Sequence, residues 1–222
     1  LITGPAIGPE GDLFGQTKHA GYDVIVVDKL RRAINPLHDI PAYFALKHRL
    51  RQIQPDVVHT HSAKAGILGR MAAHRLKGKW MYDRPAVVHG IHGLAFHPYQ
   101  NPWLNRAYIT AEKYAATKTD YFVSVADAMT EQSKAAGIGL DKPYVTAYSA
   151  IDEEAFIRPI PQEQIADFRR KHRIPNDAVV LVTVARLFML KGHDYIIESA
   201  GTLAKRFDNV VWLFVGDGNL TD

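Results

Sequence analysis

At 222 residues, with 47% hydrophobic and 23% charged side chains, the chain has the composition of an ordinary folded protein with room for one large domain or two small ones. It has no cysteine, which excludes disulfides and thiolate metal sites, and no apolar run approaches the roughly 20 residues of a membrane-spanning helix. The net charge of +4 is gathered in basic clusters such as KLRR, KHRLR and FRRKHR, read as solvated helix faces that could also meet phosphates or an anionic membrane surface; nucleic acid is not an expected partner.

The opening LITGPAIGPEGDL lacks the basic start and long apolar centre of a signal peptide and reads as the middle of something longer. A first strand is expected at Val24 to Asp28, then a helix over IPAYFALKHRLRQI (40–53) and a strand at Val57 to His59. AGILGRMAAHRL (65–76) has helical spacing, AVVH (86–89) is a strand, and PWLNRAYITAEKYAA (102–116) is a helix with Asn101 as cap and Pro102 at its first position. A strand at Tyr121 to Val125, a helix over DAMTEQSKAAG ending at Gly137 and a strand at Tyr144 to Ala147 follow. After a Pro-punctuated interval come strands at Val179 to Ala185 and Val210 to Val215, separated by a helix over GHDYIIESAGTLAKRF (192–207).

Strand and helix thus alternate at the length of βα units, and the strands are near-continuous Val, Ile and Leu, as in a parallel sheet covered on both faces. The fold class expected is α/β, with a linker near Phe156 to Pro161 dividing residues 1–157 from 158–222. Two strands and one long helix are too few to close a doubly wound sheet, so the second part is expected to be truncated.

Four places carry candidate chemistry. In VVHTHS, His59 and His61 point the same way from a strand end, where they could share a metal with His89, His92 or His97, hydrogen-bond backbone, or line a substrate. In VVHGIHGLAFH, two glycines directly after a strand let backbone approach a ligand and leave His92 on a loop; on spacing alone a turn histidine bonded to backbone is an equal reading. In VTVARLFMLKGHDYIIESA, a strand delivers Arg186 and Lys191 to a loop that ends at Gly192 and opens a helix, so two cations and a helix N-terminus can meet a diphosphate. Gly216, Asp217 and Gly218 follow the last strand, as an ordinary turn or as a close approach of ligand to backbone.

In order, PDVVHTHSAKAGILGR, VVHGIHGLAF, YSAIDEEAF and VARLFMLKGHDYIIESA…VGDG resemble glycosyltransferase family 4, the group 1 glycosyltransferases. The resemblance implies a GT-B fold: two Rossmann-like doubly wound parallel-sheet domains, residues 1–157 on the acceptor side and 158–222 starting the nucleotide-sugar-binding domain. It implies transfer of a sugar from a nucleoside-diphosphate donor to a saccharide or lipid-linked acceptor, with retention of configuration, without a metal or other cofactor. Arg186 and Lys191 would neutralise the leaving diphosphate, Gly192, Gly216, Asp217 and Gly218 would lie near the donor, and His92 would sit at the reaction centre. His61, Ser62 and Lys64 would face the acceptor.

Departures accompany the resemblance. The family's first strand and Gly-rich loop would precede Leu1, Ala150 stands where a glycine is usual, and the paired glutamates that hold the nucleotide would lie past Asp222. The chain by itself is therefore expected to bind donor weakly. The expected location is cytoplasmic, with peripheral association at the inner membrane face. The alternatives are a metal-dependent hydrolase built on His59 and His61, a GT-B nucleotide-sugar epimerase and a non-catalytic nucleotide-sugar-binding fragment.

Overall fold

The computed structural model describes residues 1–7, 14–15, 21–76 and 84–218, in two compact units, Leu1–Ala150 and Ile151–Asp222. In the first unit β1 (Ile2–Thr3) pairs in parallel with β2 (Ile25–Val26). A separate sheet holds β3 (Val57–His61), β4 (Ala86–Ile91), β5 (Tyr121–Ser124) and β6 (Tyr144–Thr146), all parallel and in that order. Helices α1 (Pro36–Ile53), α2 (Ala63–His74), α3 (Pro102–Ala116) and α4 (Asp127–Ala135) connect successive strands.

Local chemistry sets the helix ends. Asn35 accepts a hydrogen bond from the Leu37 amide at 3.0 Å and Pro36 fills the first position, so α1 starts four residues before the expected Ile40 and carries Pro41 inside it. Asn101 caps α3 in the same way, accepting from the Trp103 amide at 2.9 Å. After α4, Gly137 takes a left-handed φ of 77°, a conformation that costs glycine little.

Two apolar clusters support the sheet. Leu46 and Leu50 of α1, Val58 of β3, Ala72 and Ala73 of α2 and Val87 of β4 form one; Ile91, Ala116, Phe122 and Ile138 form the other. Phe122 is fully buried and stacks on Tyr144 with ring centroids 4.5 Å apart. Burying a side chain of this kind contributes about 1.5–3 kcal/mol.

Coverage on both faces does not hold for β3. Val58 and Thr60 are buried, while Val57, His59 and His61 are exposed and line a cleft of about 830 Å³ between this strand and β1. The Ile2, Thr3, Leu46 and Leu50 side of that cleft closes its other walls. An alternating pattern is what a strand with one open face produces.

The second unit contains α5 (Glu154–Ile157), α6 (Gln162–Lys171), β7 (Val179–Val184), α7 (His193–Leu203) and β8 (Val210–Val215). β7 and β8 pair in parallel from Val179↔Val210 to Val184↔Val215. Val182 and Val184 remain 54% and 77% exposed, because two strands and three helices are too few to cover a sheet on both faces.

Candidate functional site

The register of β3 against β4 sets His61 opposite Gly90, one residue before the strand ends at Ile91. His59 and His61 share the exposed face of β3, with ring centroids 4.2 Å apart, and His92 leaves the end of β4 toward them. Nδ1 of His61 and Nε2 of His92 are 2.8 Å apart. That hydrogen bond needs a proton on one nitrogen and a lone pair on the other. Burial and then the neighbouring imidazoles hold both His59 and His61 below the usual histidine pKa, so these two rings favour the neutral form, able to donate and accept.

Gly90 makes the cluster possible. A Cβ there would lie 2.6 Å from Nδ1 of His61 and 3.2 Å from Nε2 of His59. The glycine lies within β4 rather than after it, and the close approach it permits is to imidazole rings. Gly93 meets nothing within 4 Å.

His89 and His97 stay apart from this group. His89 is buried, its Nδ1 2.9 Å from the Thr60 hydroxyl, which in turn donates to the Val88 carbonyl at 3.2 Å. Its ring packs on α2, where a Cβ at Gly66 would come within 2.5 Å of its Cε1. His97 is held through its backbone, donating to Asn105 Oδ1 at 3.2 Å and accepting from Asn105 Nδ2 at 2.8 Å. Among the described residues no group of three or more His, Cys, Asp or Glu side chains is arranged to hold a metal ion.

Ser62 and Lys64 follow β3 directly. Ser62 has a φ of 60°, in the region that favours glycine, and its hydroxyl makes no capping hydrogen bond to α2. Strain of this kind at a strand end holds a side chain at a chosen place. The Lys64 ammonium pairs with Asp39 and donates to the Ala33 carbonyl, which ties the start of α2 to the start of α1.

A buried ion pair stands behind these residues. Arg70 of α2, with no exposed surface, donates from Nη2 to Glu112 of α3 at 2.6 Å and from Nε to the Gly66 carbonyl at 3.1 Å. Nothing in the spacing of this helix marks Arg70, and only the packing of α2 on α3 reveals the pair.

In the second unit the carboxyl ends of β7 and β8 run on into two loops that lie against each other. The Leu187 amide donates to the Asp217 carbonyl at 2.9 Å, and the Ala185 amide to Val215 at 3.1 Å. A Cβ at Gly216 would collide with the Ala185 carbonyl, and one at Gly218 with Leu187. The close approach that these glycines allow is therefore between the loops themselves.

Arg186 lies at the start of the β7 loop, its guanidinium over the Phe188 ring at 4.8 Å from the centroid. Lys191 ends a 3-10 turn over Met189–Lys191, and Gly192, with φ of 70°, turns the chain into α7. Among the described residues no side chain caps that helix, so its first amides are left without a side-chain acceptor beside the loop that bears both exposed cations. His193 went unread in the sequence. It is buried, donates from Nε2 to the Arg186 carbonyl at 3.0 Å and packs edge-on against Phe214, locking the arginine's backbone to the helix start.

Parallel strands that deliver cations and glycines to their carboxyl ends, with a helix N-terminus alongside, define a Rossmann-like α/β protein. HepE from Anabaena, in a structure in complex with UDP and glucose, superposes with a TM-score of 0.70 at 16% identity, covering 98% of this chain and 53% of that one. That likeness shows a GT-B fold with two Rossmann-like units. The glycosyl transferase 4-like domain family matches residues 2–146, and the chain belongs to that family. It is 30% identical over 225 residues to the UDP-Gal:alpha-D-GlcNAc-diphosphoundecaprenol alpha-1,3-galactosyltransferase of Escherichia coli, a match covering 96% of this chain and 52% of that protein. It is 27% identical over 213 residues to EpsD of Bacillus subtilis (strain 168), covering 92% and 52%. The chain spans about half the length of these curated relatives.

Proposed function

We propose that the complete protein is a glycosyltransferase that moves a sugar from a nucleoside-diphosphate donor to a saccharide or lipid-linked acceptor. The observation that carries this reading is the β7 loop, where Arg186 and Lys191 precede the uncapped start of α7. As the glycosidic bond to the donor breaks, negative charge builds on the departing diphosphate. Prepositioned cations and helix amides stabilise that charge more than the ground state. Arg offers a planar fork and Lys a point charge, so the two are not interchangeable. Gly192, Gly216, Asp217 and Gly218 complete the donor side.

On the first unit, His92, hydrogen-bonded to His61, is the group that meets the transferring sugar, with His61 and Ser62 toward the acceptor and Lys64 fixing the loop beneath them. The anomeric configuration is retained and neither metal nor cofactor takes part. UDP and glucose accompany HepE, and the Escherichia coli relative is named for a UDP-sugar and a diphosphoundecaprenol-linked acceptor. A UDP-sugar and a lipid-linked saccharide are therefore the pair to try first. Such an acceptor is met at the cytoplasmic membrane surface. Among the described residues no helix is long and apolar enough to cross a membrane.

A thermal-shift series of UDP-, GDP- and ADP-sugars on the complete protein tests the reading, because a ligand that binds only the folded state raises its melting temperature. The reading requires a saturable shift with one donor class. No shift with any of them would remove it.

A further inference from the structure

Phe188 touches both cations of the β7 loop. Its amide donates to the Arg186 carbonyl at 2.9 Å, and its carbonyl accepts from the Lys191 amide at 2.9 Å. Its ring lies under the Arg186 guanidinium, with the centroid 4.8 Å from Cζ. One residue therefore spaces Arg186 and Lys191 along the backbone and also carries the face on which the arginine rests.

The rest of the loop is pinned through its backbone. The Leu187 amide is held by the Asp217 carbonyl at 2.9 Å, and the Arg186 carbonyl also meets Nε2 of His193 at 3.0 Å. Phe188 itself is extended, with φ of −131° and ψ of 148°, where it leads into the 3-10 turn. Its ring is half-buried while Arg186 is exposed. Those bonds fix where the arginine leaves the chain, and the stack bears on what they leave undetermined, the direction of a long, rotatable side chain.

A guanidinium is planar and weakly hydrated, and it is drawn to the negative face of an aromatic ring. A fork already held against a ring loses less rotamer freedom when an anion arrives than one that swings in water. It is also in place before charge develops on the diphosphate, the condition under which a cation favours the transition state over the ground state. An aliphatic side chain at this position would preserve both backbone bonds and abolish the stack.

We propose that Phe188 is a positioning residue for sugar transfer, its ring orienting the Arg186 guanidinium toward the departing diphosphate. The inference rests on the reading of Arg186 as a diphosphate ligand, and it gives a role to a residue that acts through another.

Steady-state transfer kinetics of Phe188→Leu in the complete protein test it. Turnover should fall about tenfold, the size expected of a partly desolvated cation–π pair. The donor KM should change by less than about twofold, because the lost contact acts on charge that appears in the transition state. Phe188→Tyr keeps the ring face and should stay within about twofold of wild type. In an Arg186→Ala background, where no guanidinium remains to orient, adding Phe188→Leu should lower turnover no further. A residue that only shaped the loop, or acted through Lys191, would still cost about tenfold there. If Phe188→Leu does not fold, Phe188→Met makes the same comparisons. Active wild type with unchanged turnover in Phe188→Leu, or an equal loss in the Arg186→Ala background, would overturn this inference and leave the transferase reading standing. Wild type that responds to no nucleotide-sugar and transfers nothing would overturn the transferase reading and this inference with it.

Discussion

His61 and His92 share one hydrogen bond, Nδ1 to Nε2 at 2.8 Å, across the carboxyl ends of two neighbouring parallel strands. The bond exists because residue 90, directly opposite His61, has no side chain.

Gly90→Ala is therefore expected to part the two rings while leaving the fold intact. The imidazole of His61 is exposed and can swing away, so the stability change should stay within about 1 kcal/mol. Sugar transfer should fall at least about tenfold, since misplaced reacting groups are costly. Gly93→Ala, where a Cβ meets nothing, should change neither. Steady-state kinetics and urea titrations of the two variants check the contrast; equal activity in both would show that the His pair is incidental.

The buried Arg70 and Glu112 offer a second test. Removing one partner leaves a charge without compensation, so Arg70→Ala or Glu112→Ala should each lower stability by about 3–5 kcal/mol. Replacing both with leucine should cost far less than the sum of the two single changes. A double-variant cycle by chemical denaturation measures this, and additive losses would mean that the pair is not coupled.

His89 makes stability depend on pH. Burial first, and then the charge of Arg70, push its pKa from 6.5 down to about 2. The unfolded chain takes up this proton as pH falls through 6.5 and the native state does not, so stability rises with pH below that value. The contribution is fully present above pH 6.5 and is lost progressively as pH falls toward about 2. By about pH 5 the loss should reach about 2 kcal/mol from this residue, with His59 and His61 acting in the same direction. His89→Gln should flatten the profile in denaturation curves taken at several pH values. An unchanged slope would contradict the assignment.

Much of this was legible in the sequence, and the misses have physical causes. Val210–Val215 and Pro102–Ala116 match their expected spans because a β-branched run and an Asn-Pro start are local signals. β3 and β4 run two residues beyond the expected ends, since Thr60, His61, Gly90 and Ile91 are held by pairing between strands rather than by their own propensity. The first turn of α1 was missed because Pro41 reads as a helix start when it lies inside one. β1 is only two residues long and exists through its pairing with Ile25 and Val26. The placement of Arg186 and Lys191 on a loop before a helix was readable from their spacing. The bond from His193 to the Arg186 carbonyl depends on tertiary placement and left no signature.

The central claim is that Arg186 and Lys191 carry the charge of a departing diphosphate. It is tested most directly by sugar-transfer kinetics of Arg186→Ala and Lys191→Ala in the complete protein. Both should keep a wild-type fold by circular dichroism and lower turnover by at least about 10²-fold. Near-wild-type turnover in both variants would contradict the account.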